Sequence, residues 1–344
     1  MFMIKFFKLV GMICVKTLMV LKEKKILSTK KYSIGIDVGG TNVKIAVVDL
    51  KGNIIYSNSV PTRAEMGYEY TIKNIKETIY ASLKETKLTL ENITGIGVGL
   101  PGQINSDEGM VRLLPNIPGW KNVPLGKIME EEFKVKTKLD NDVRVATLGE
   151  YTFGAGQGCK NLICLTVGTG VGSGIILNGN LVRGASMAAG EIGHMVVMEP
   201  HGPICGCGST GCLEALASGP AIVQMAKEYI SGGKSTLYKE LAASGSITPY
   251  LVYEAALQGD AVARRIFTIT GEWLGLALVN VVNLLNPERI IIGGGVGQSG
   301  DLLLEPIRKI IKERALKASA DAVEVVAAEL GESAGVVGAS LLVI

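Results

Sequence analysis

The sequence has almost no net charge and almost no histidine. Its 344 residues carry a formal charge of only +3, and no long basic run interrupts them. That balance argues against nucleic acid as a partner. Cysteine is limited to six, three of them inside eight residues, which is no pattern for a secreted disulfide framework and fits a reducing cytoplasm. Disorder is excluded as a default by a hydrophobic share of 47 % and a mean hydropathy of +0.33. The chain is long enough for two domains, each with its own core.

Two apolar stretches resemble membrane elements. The start, MFMIKFFKLVGMICVKTLMVLKEKK, lacks a small-residue cleavage signal. It reads as a poor signal sequence, an amphipathic surface helix, or an extension from an upstream start codon, since Met12 or Met19 would each leave the folded part intact. Residues 266 to 286 are long enough to span a bilayer, but Glu272 lies inside them and asparagines recur at 280, 283 and 286. A buried helix of a large domain is the better reading, with no membrane as partner.

What the chain does have is glycine, 44 residues of it, clustered after β-rich runs. Residues 33 to 36, 43 to 50 and 54 to 60 read as strands, with DVGGT between the first two. The polar helix pattern TIKNIKETIYASLKE follows, then a strand ending in GIGVGLPG. PNIPGWKNVP reads as a loop, and a charged helix spans roughly 124 to 134. A short strand then ends in LDND before the helix of VRVATLGEYTFG. At that point the pattern restarts. A shift of 129 residues sets Asp37 on Thr166 and Gly39 on Gly168, with apolar positions matched on either side. A repeat of this size predicts two similar β-sheet domains. The last glycine turn holds a literal GxGxxG at Gly295, Gly297 and Gly300, but too little chain follows it for a dinucleotide domain.

The glycines of DVGGT let backbone N–H groups approach phosphate oxygens, and Thr41 adds a hydroxyl. Asp37 repels a bare phosphate but can hold Mg²⁺ or its waters against one. The echo TVGTGVGSG lacks that acid, so the two hairpins are suited to different phosphates of one nucleotide. In LDND, Asp142 or Asn141 is either an N-cap or, for Asp142, a general base accepting a hydroxyl proton during phosphoryl transfer. Residues 191 to 215, EIGHMVVMEPHGPICGCGSTGCLEA, gather both histidines and three cysteines between Glu191 and Glu214.

Taken together, IGIDVGGTNVKIAVVD, GVGLPGQIN, LDNDVRVATLGE, LTVGTGVGSGII, GEIGH, CGCGSTGCLEA and IIIGGGV resemble, in that order, the sugar kinases of the ROK family (repressor, open reading frame, kinase). The likeness runs from about Tyr32 to the C-terminus, and PNIPGWKNVPL adds a likeness to bacterial glucokinases. The resemblance implies an α/β, two-lobed actin-like (ribonuclease H-like) ATPase fold: two duplicated domains and an interdomain cleft. The expected boundaries are an extension to residue 30, a small domain over 31–140, a large one over 141–318, and a segment 319–344 returning toward the first.

It further implies ATP-dependent phosphorylation of glucose at the 6-hydroxyl. Asp142 becomes the catalytic base, and Asn141, Glu191, His194 and Glu214 become sugar ligands, with Gly102 and Asn116 bordering the sugar. Asp37, Gly39, Gly40 and Thr41 face the phosphates and Mg²⁺. Thr166, Gly168, Thr169 and Gly170 close from the other domain, and Gly294 and Gly295 lie under the adenosine. His194, Cys205, Cys207 and Cys212 hold one structural zinc, leaving His201 a loop residue and Cys14, Cys159 and Cys164 outside any motif. Mannose, fructose or N-acetylmannosamine are alternative substrates. A sugar-sensing repressor of the same family is the rival, disfavoured because only about thirty residues precede the DxGGT strand. A homodimer or homotetramer in the cytoplasm is expected.

Overall fold

The computed structural model describes residues 30–114, 117–231 and 245–344. The chain divides into two compact units, one reaching Leu139 and taking in Ala339–Ile344, the other covering Asp140–Gly338.

In the first unit, β1 (Tyr32–Val38) pairs antiparallel with β2 (Asn42–Asp49), which pairs antiparallel with β3 (Ile54–Pro61). β4 (Ile93–Leu100) lies parallel on the other side of β1. A small separate sheet follows, built from β5 (Gln103–Asn105), β6 (Met110–Leu113) and β7 (Lys121–Val123). The last of these runs through PNIPGWKNVP, read above as loop: its three residues alternate too briefly to register as a strand without their partner β6. β8 (Lys136–Asn141) completes the main sheet in the order β3-β2-β1-β4-β8.

Because β1 is central, it is buried on both faces from Ser33 to Ile36, with the small Ser33 and Gly35 on one face and Ile34 and Ile36 on the other. The helix Gly67–Thr86 covers the sheet with Ile72, Ile75, Ile79 and Leu83, spaced three or four apart on one stripe. Each such side chain, once buried, contributes about 1.5–3 kcal/mol.

The second unit repeats the plan. β9 (Leu162–Val167) and β10 (Val171–Leu177) form a hairpin extended by β11 (Asn180–Leu181). β12 (Arg289–Gly293) lies parallel to β9, and β13 (Glu324–Ala327) parallel to β12, giving β11-β10-β9-β12-β13. The first four positions of this order mirror those of the first sheet: an edge strand, two hairpin strands and a parallel neighbour. The offset of 129 residues is therefore a duplication of topology.

The expected boundary at residue 318 does not coincide with the observed one. Pairing with β12 keeps β13 in the second unit, and the chain leaves that unit only inside the helix Ala334–Leu341, after Gly338.

The apolar stretch at 266 to 286 is the helix Ala261–Leu285, started by the Asp260 side chain accepting the Ala263 N–H at 2.8 Å. Its Ile266, Phe267, Leu274, Leu278 and Val282 are buried in the core of the second unit, which also takes Leu303 and Ile307 of the helix Asp301–Arg314. Among the described residues it is the one helix long and apolar enough to cross a membrane, and half of that apolar window is buried.

Candidate active site

In the first unit, the turn after β1 carries Gly39, Gly40 and Thr41. It is closed by the Gly39 N–H on the Asn42 carbonyl at 2.8 Å. A second layer secures it: the Thr62 hydroxyl donates to the Gly39 carbonyl at 2.6 Å, and the Thr62 N–H to the Thr41 carbonyl at 2.8 Å. The tip is thus held from behind while Gly40 and Thr41 stay exposed. Asp37 sits half-buried at the end of β1, a hard oxygen donor beside that turn and a chemically suitable partner for Mg²⁺. Gly102 turns the chain between β4 and β5 with φ of +118°. Asn116 lies outside the described residues.

The second hairpin is braced differently. The Gly168 N–H bonds the Gly170 carbonyl at 2.9 Å, and the Gly168 carbonyl accepts the Gly219 N–H at 2.7 Å. Gly294 follows β12 at φ +81°, a conformation in which a Cβ would also lie 2.5 Å from the Val167 carbonyl oxygen. Only glycine lets the turn rest on β9 there.

Thr169 and Gly295 line a cavity of about 940 Å³ bounded by the N-terminal turn of the helix Gly219–Ser231. Its other walls include Gln224, Lys227, Tyr250, Tyr253 and Gln298, none of them visible as candidates in the sequence. The cavity is at the upper end of the size range of small-molecule sites, and a helix N-terminus beside a glycine hairpin favours phosphate.

At the end of β8, both readings of LDND hold at once, on different residues. Asn141 is the N-cap of the helix Asp142–Phe153, its Oδ1 accepting from the Val143 and Arg144 N–H groups at 3.0 and 3.3 Å. Asp142 is the first helical residue, its Oδ1 accepting from Val143 at 2.9 Å. Burial pushes the Asp142 carboxyl above its ordinary value, and the charge of Glu191 adds to the rise. The Val143 N–H and the Arg144 guanidinium oppose it.

Behind this pair lies a residue that sequence reading missed. Asp140 is fully buried, with Arg144 Nε 3.1 Å from one oxygen and Arg183 Nε 2.7 Å from the other. Its Oδ1 also accepts the Asn141 N–H at 2.8 Å. A buried carboxylate so surrounded fixes the turn that presents Asn141 and Asp142.

The segment from Glu191 to Glu214 folds into a knuckle. A turn from Cys205 to Ser209 is closed by the Cys205 N–H on the Ser209 carbonyl at 2.8 Å. Isolated bridges join Ile204 to Thr210 and Val196 to Cys212. The ligand atoms of His194, Cys205, Cys207 and Cys212 all lie within 4.8 Å of one another. Cys205 Sγ is 3.7 Å from His194 Nδ1, and Cys207 Sγ is 3.7 Å from Cys212 Sγ. Zn–S bonds of about 2.3 Å give a tetrahedron an edge of about 3.8 Å, so the spacing suits this ion. Burial pushes the Cys205 thiol up to about 11, so a thiolate here calls for a cation beside it.

His201 is exposed and stands outside that cluster. Cys164 is buried, its thiol pushed up to about 12 by desolvation, and is inert. Glu191 and His194 are exposed, and Glu214 is half-buried at the start of the helix Leu213–Ala217. Glu214 Oε2 accepts the Val171 N–H of the second hairpin at 3.0 Å, and its Oε1 is 3.8 Å from Cys205 Sγ. The second unit therefore gathers the second phosphate hairpin, the cavity, Asn141, Asp142, both glutamates and the Cys₃His cluster.

The ROK family model matches residues 33–344. The glucokinase of Halalkalibacterium halodurans is 40 % identical over 314 residues, covering 91 % of this chain and 95 % of that protein. The xylose repressor of Caldicellulosiruptor bescii is 34 % identical, over 90 % of this chain and 77 % of the repressor. The crystal structure of a ROK family glucokinase from Streptomyces griseus, in complex with glucose and AMPPNP, superimposes with a TM-score of 0.77 at 36 % identity. That match covers 90 % of this chain and 98 % of the other, which makes the fold the actin-like ATPase fold of these kinases. A family match running from the first strand to the last residue, with relatives this similar among both kinases and repressors, means that the chain belongs to the ROK family.

Proposed function

We propose that this protein transfers the γ-phosphoryl group of ATP to the 6-hydroxyl of glucose. One observation carries the reading. The Asp142 carboxyl, raised by burial and by Glu191, belongs to the same unit as a glycine hairpin opening on a nucleotide-sized cavity. A repressor needs the sugar ligands of such a site but has no use for a base. The likeness to glucokinases supports the same choice, since they match at 37–40 % identity over 95–96 % of their lengths.

Each residue has a task that its surroundings support. Asn141 has its carbonyl oxygen committed to the helix cap, so contact with a sugar hydroxyl falls to its amide nitrogen. Glu191 and Glu214 accept hydrogen bonds from further hydroxyls. His194, using Nδ1 toward the cysteines, offers Nε2 to the sugar. Asp142 takes the proton of the 6-hydroxyl as its oxygen bonds to the γ-phosphorus and the bond to ADP breaks. Its raised proton affinity makes it a stronger acceptor than an exposed aspartate.

The phosphates lie along Gly168, Thr169 and Gly170, with Thr166 behind them and Gly294 and Gly295 beneath the adenosine. In the first unit, Asp37, Gly39, Gly40 and Thr41 form a turn suited to a phosphate and its metal. Mg²⁺, when bound, neutralises charge on the transferring phosphoryl group, and zinc, held by His194, Cys205, Cys207 and Cys212, ties the sugar loop down.

A coupled assay with ATP and Mg²⁺ against glucose, mannose, fructose and N-acetylmannosamine tests the proposal. Glucose is expected to give the highest kcat/KM. Turnover of none of the four defeats the kinase reading, and preference for another hexose corrects the substrate.

A further inference from the structure

Ser173 lies on β10, the outgoing strand of the second hairpin, and is buried at 6 % exposure. Its hydroxyl donates to the Gly190 carbonyl, and the same oxygen accepts the Ile192 N–H at 3.3 Å. These two bonds bracket Glu191 on both sides. No other described side chain holds the backbone on either side of that carboxylate.

The strand also packs on the helix that carries the base. Side chains alternate across a strand, and the glycines flanking Ser173 point the other way. A Cβ at Gly174 would lie 2.1 Å from Thr147 Oγ1, and one at Gly172 would lie 2.6 Å from Val143 Cγ2. Both neighbours belong to the helix that Asp142 begins. Glycine at these positions lets that helix seat directly on β10, while Ser173 clasps the sugar loop on the opposite face. The strand is the common wall of the two.

We propose that Ser173 is a positioning residue that sets Glu191 at a fixed distance from Asp142, and so determines how tightly the hexose is held. The inference rests on the kinase reading above. The Ser173 hydroxyl is engaged by Gly190 and Ile192, so its loss acts through Glu191 and falls on the sugar and not on the nucleotide.

The test compares wild type with Ser173→Ala and Ser173→Thr in steady-state kinetics, varying glucose and ATP separately, with melting temperature and zinc content measured on the same samples. Losing two buried hydrogen bonds to one hydroxyl is expected to raise the glucose KM about tenfold or more in the alanine variant. The ATP KM is expected to stay within about twofold, and Ser173→Thr, which keeps the hydroxyl, to recover most of the sugar affinity. A merely structural serine would raise both KM values together or lower the melting temperature without a split. A glucose KM within about twofold of wild type, or equal rises for sugar and ATP, overturns the proposal. Should the alanine variant not fold, Ser173→Cys keeps the volume and weakens both bonds, and the same split is required of it. Wild-type protein that phosphorylates no hexose defeats the kinase reading and this inference together. Normal wild-type kinetics with an unmoved Ser173→Ala defeats this inference alone.

Discussion

Replacing Asp142 by asparagine should separate activity from stability, and in opposite directions. Asparagine keeps the shape of the side chain and can still accept the Val143 N–H that Asp142 Oδ1 accepts at 2.9 Å. What it removes is a proton acceptor and a negative charge. A positioned base contributes about 10²–10⁴ in rate, equivalent to about 2.7–5.4 kcal/mol of barrier, so kcat should fall by at least about that factor. Glucose affinity, resting on Asn141, Glu191, His194 and Glu214, should largely survive.

The stability effect follows from the sign of the shift. The carboxyl is raised in the folded state. Its contribution to stability is therefore present below its unfolded value and is lost as pH rises through the folded value. At neutral pH the charged form opposes folding, so the asparagine variant should melt at the same temperature or higher. In wild type, the acidic limb of kcat/KM should lie above the ordinary aspartate range for the same reason. Coupled assays, glucose titration calorimetry and thermal melts at two pH values measure all of this. Sugar phosphorylation within about tenfold of wild type would refute the assignment of the base. A variant that melts well below wild type at neutral pH would refute the electrostatic account.

Other predictions test the surrounding machinery. Metal analysis of carefully prepared protein should find about one zinc per chain, and chelation should lower the melting temperature; protein free of zinc with an unchanged melt contradicts the Cys₃His site. Asp140→Asn leaves Arg144 and Arg183 without their shared counter-charge and should destabilise the fold by about 3–5 kcal/mol, read as a lower denaturation midpoint; an unmoved midpoint would show that the trio is not coupled. Lys227→Met should raise the KM for ATP with little change in that for glucose, and equal KM values in variant and wild type would remove Lys227 from nucleotide binding.

How much of this was legible in the sequence depends on the range of the interaction. The strands around Asp37 and Thr166 were readable because apolar runs and glycine turns are local patterns, and the duplication was readable because it compares the chain with itself. The Cys₃His cluster was legible from the spacing of rare residues and their family likeness, and its distances fit that reading. The Asp140–Arg183 pair was not. The two residues are 43 positions apart and sit in no periodic pattern, and a buried carboxylate looks in sequence like any other.

The cavity walls at Lys227, Tyr250 and Tyr253 escaped for a similar reason: they come from separate helices that only tertiary folding brings together. Ser173 gives no signal of its own, since nothing in TVGTGVGSG reveals what lies across the strand. The boundary at residue 318 failed because β13, only four residues long, is defined by its partner β12.

The duplication has a last consequence. Having inherited one blueprint twice, the protein carries its own internal control: Thr166 occupies in the second sheet the place Asp37 occupies in the first. Strand order is common to both copies, while the turn after the strand is one residue shorter in the second and the carboxylate is gone. Exchanging those two side chains, singly and together, would therefore ask which half of the molecule tolerates an anion at the end of that strand.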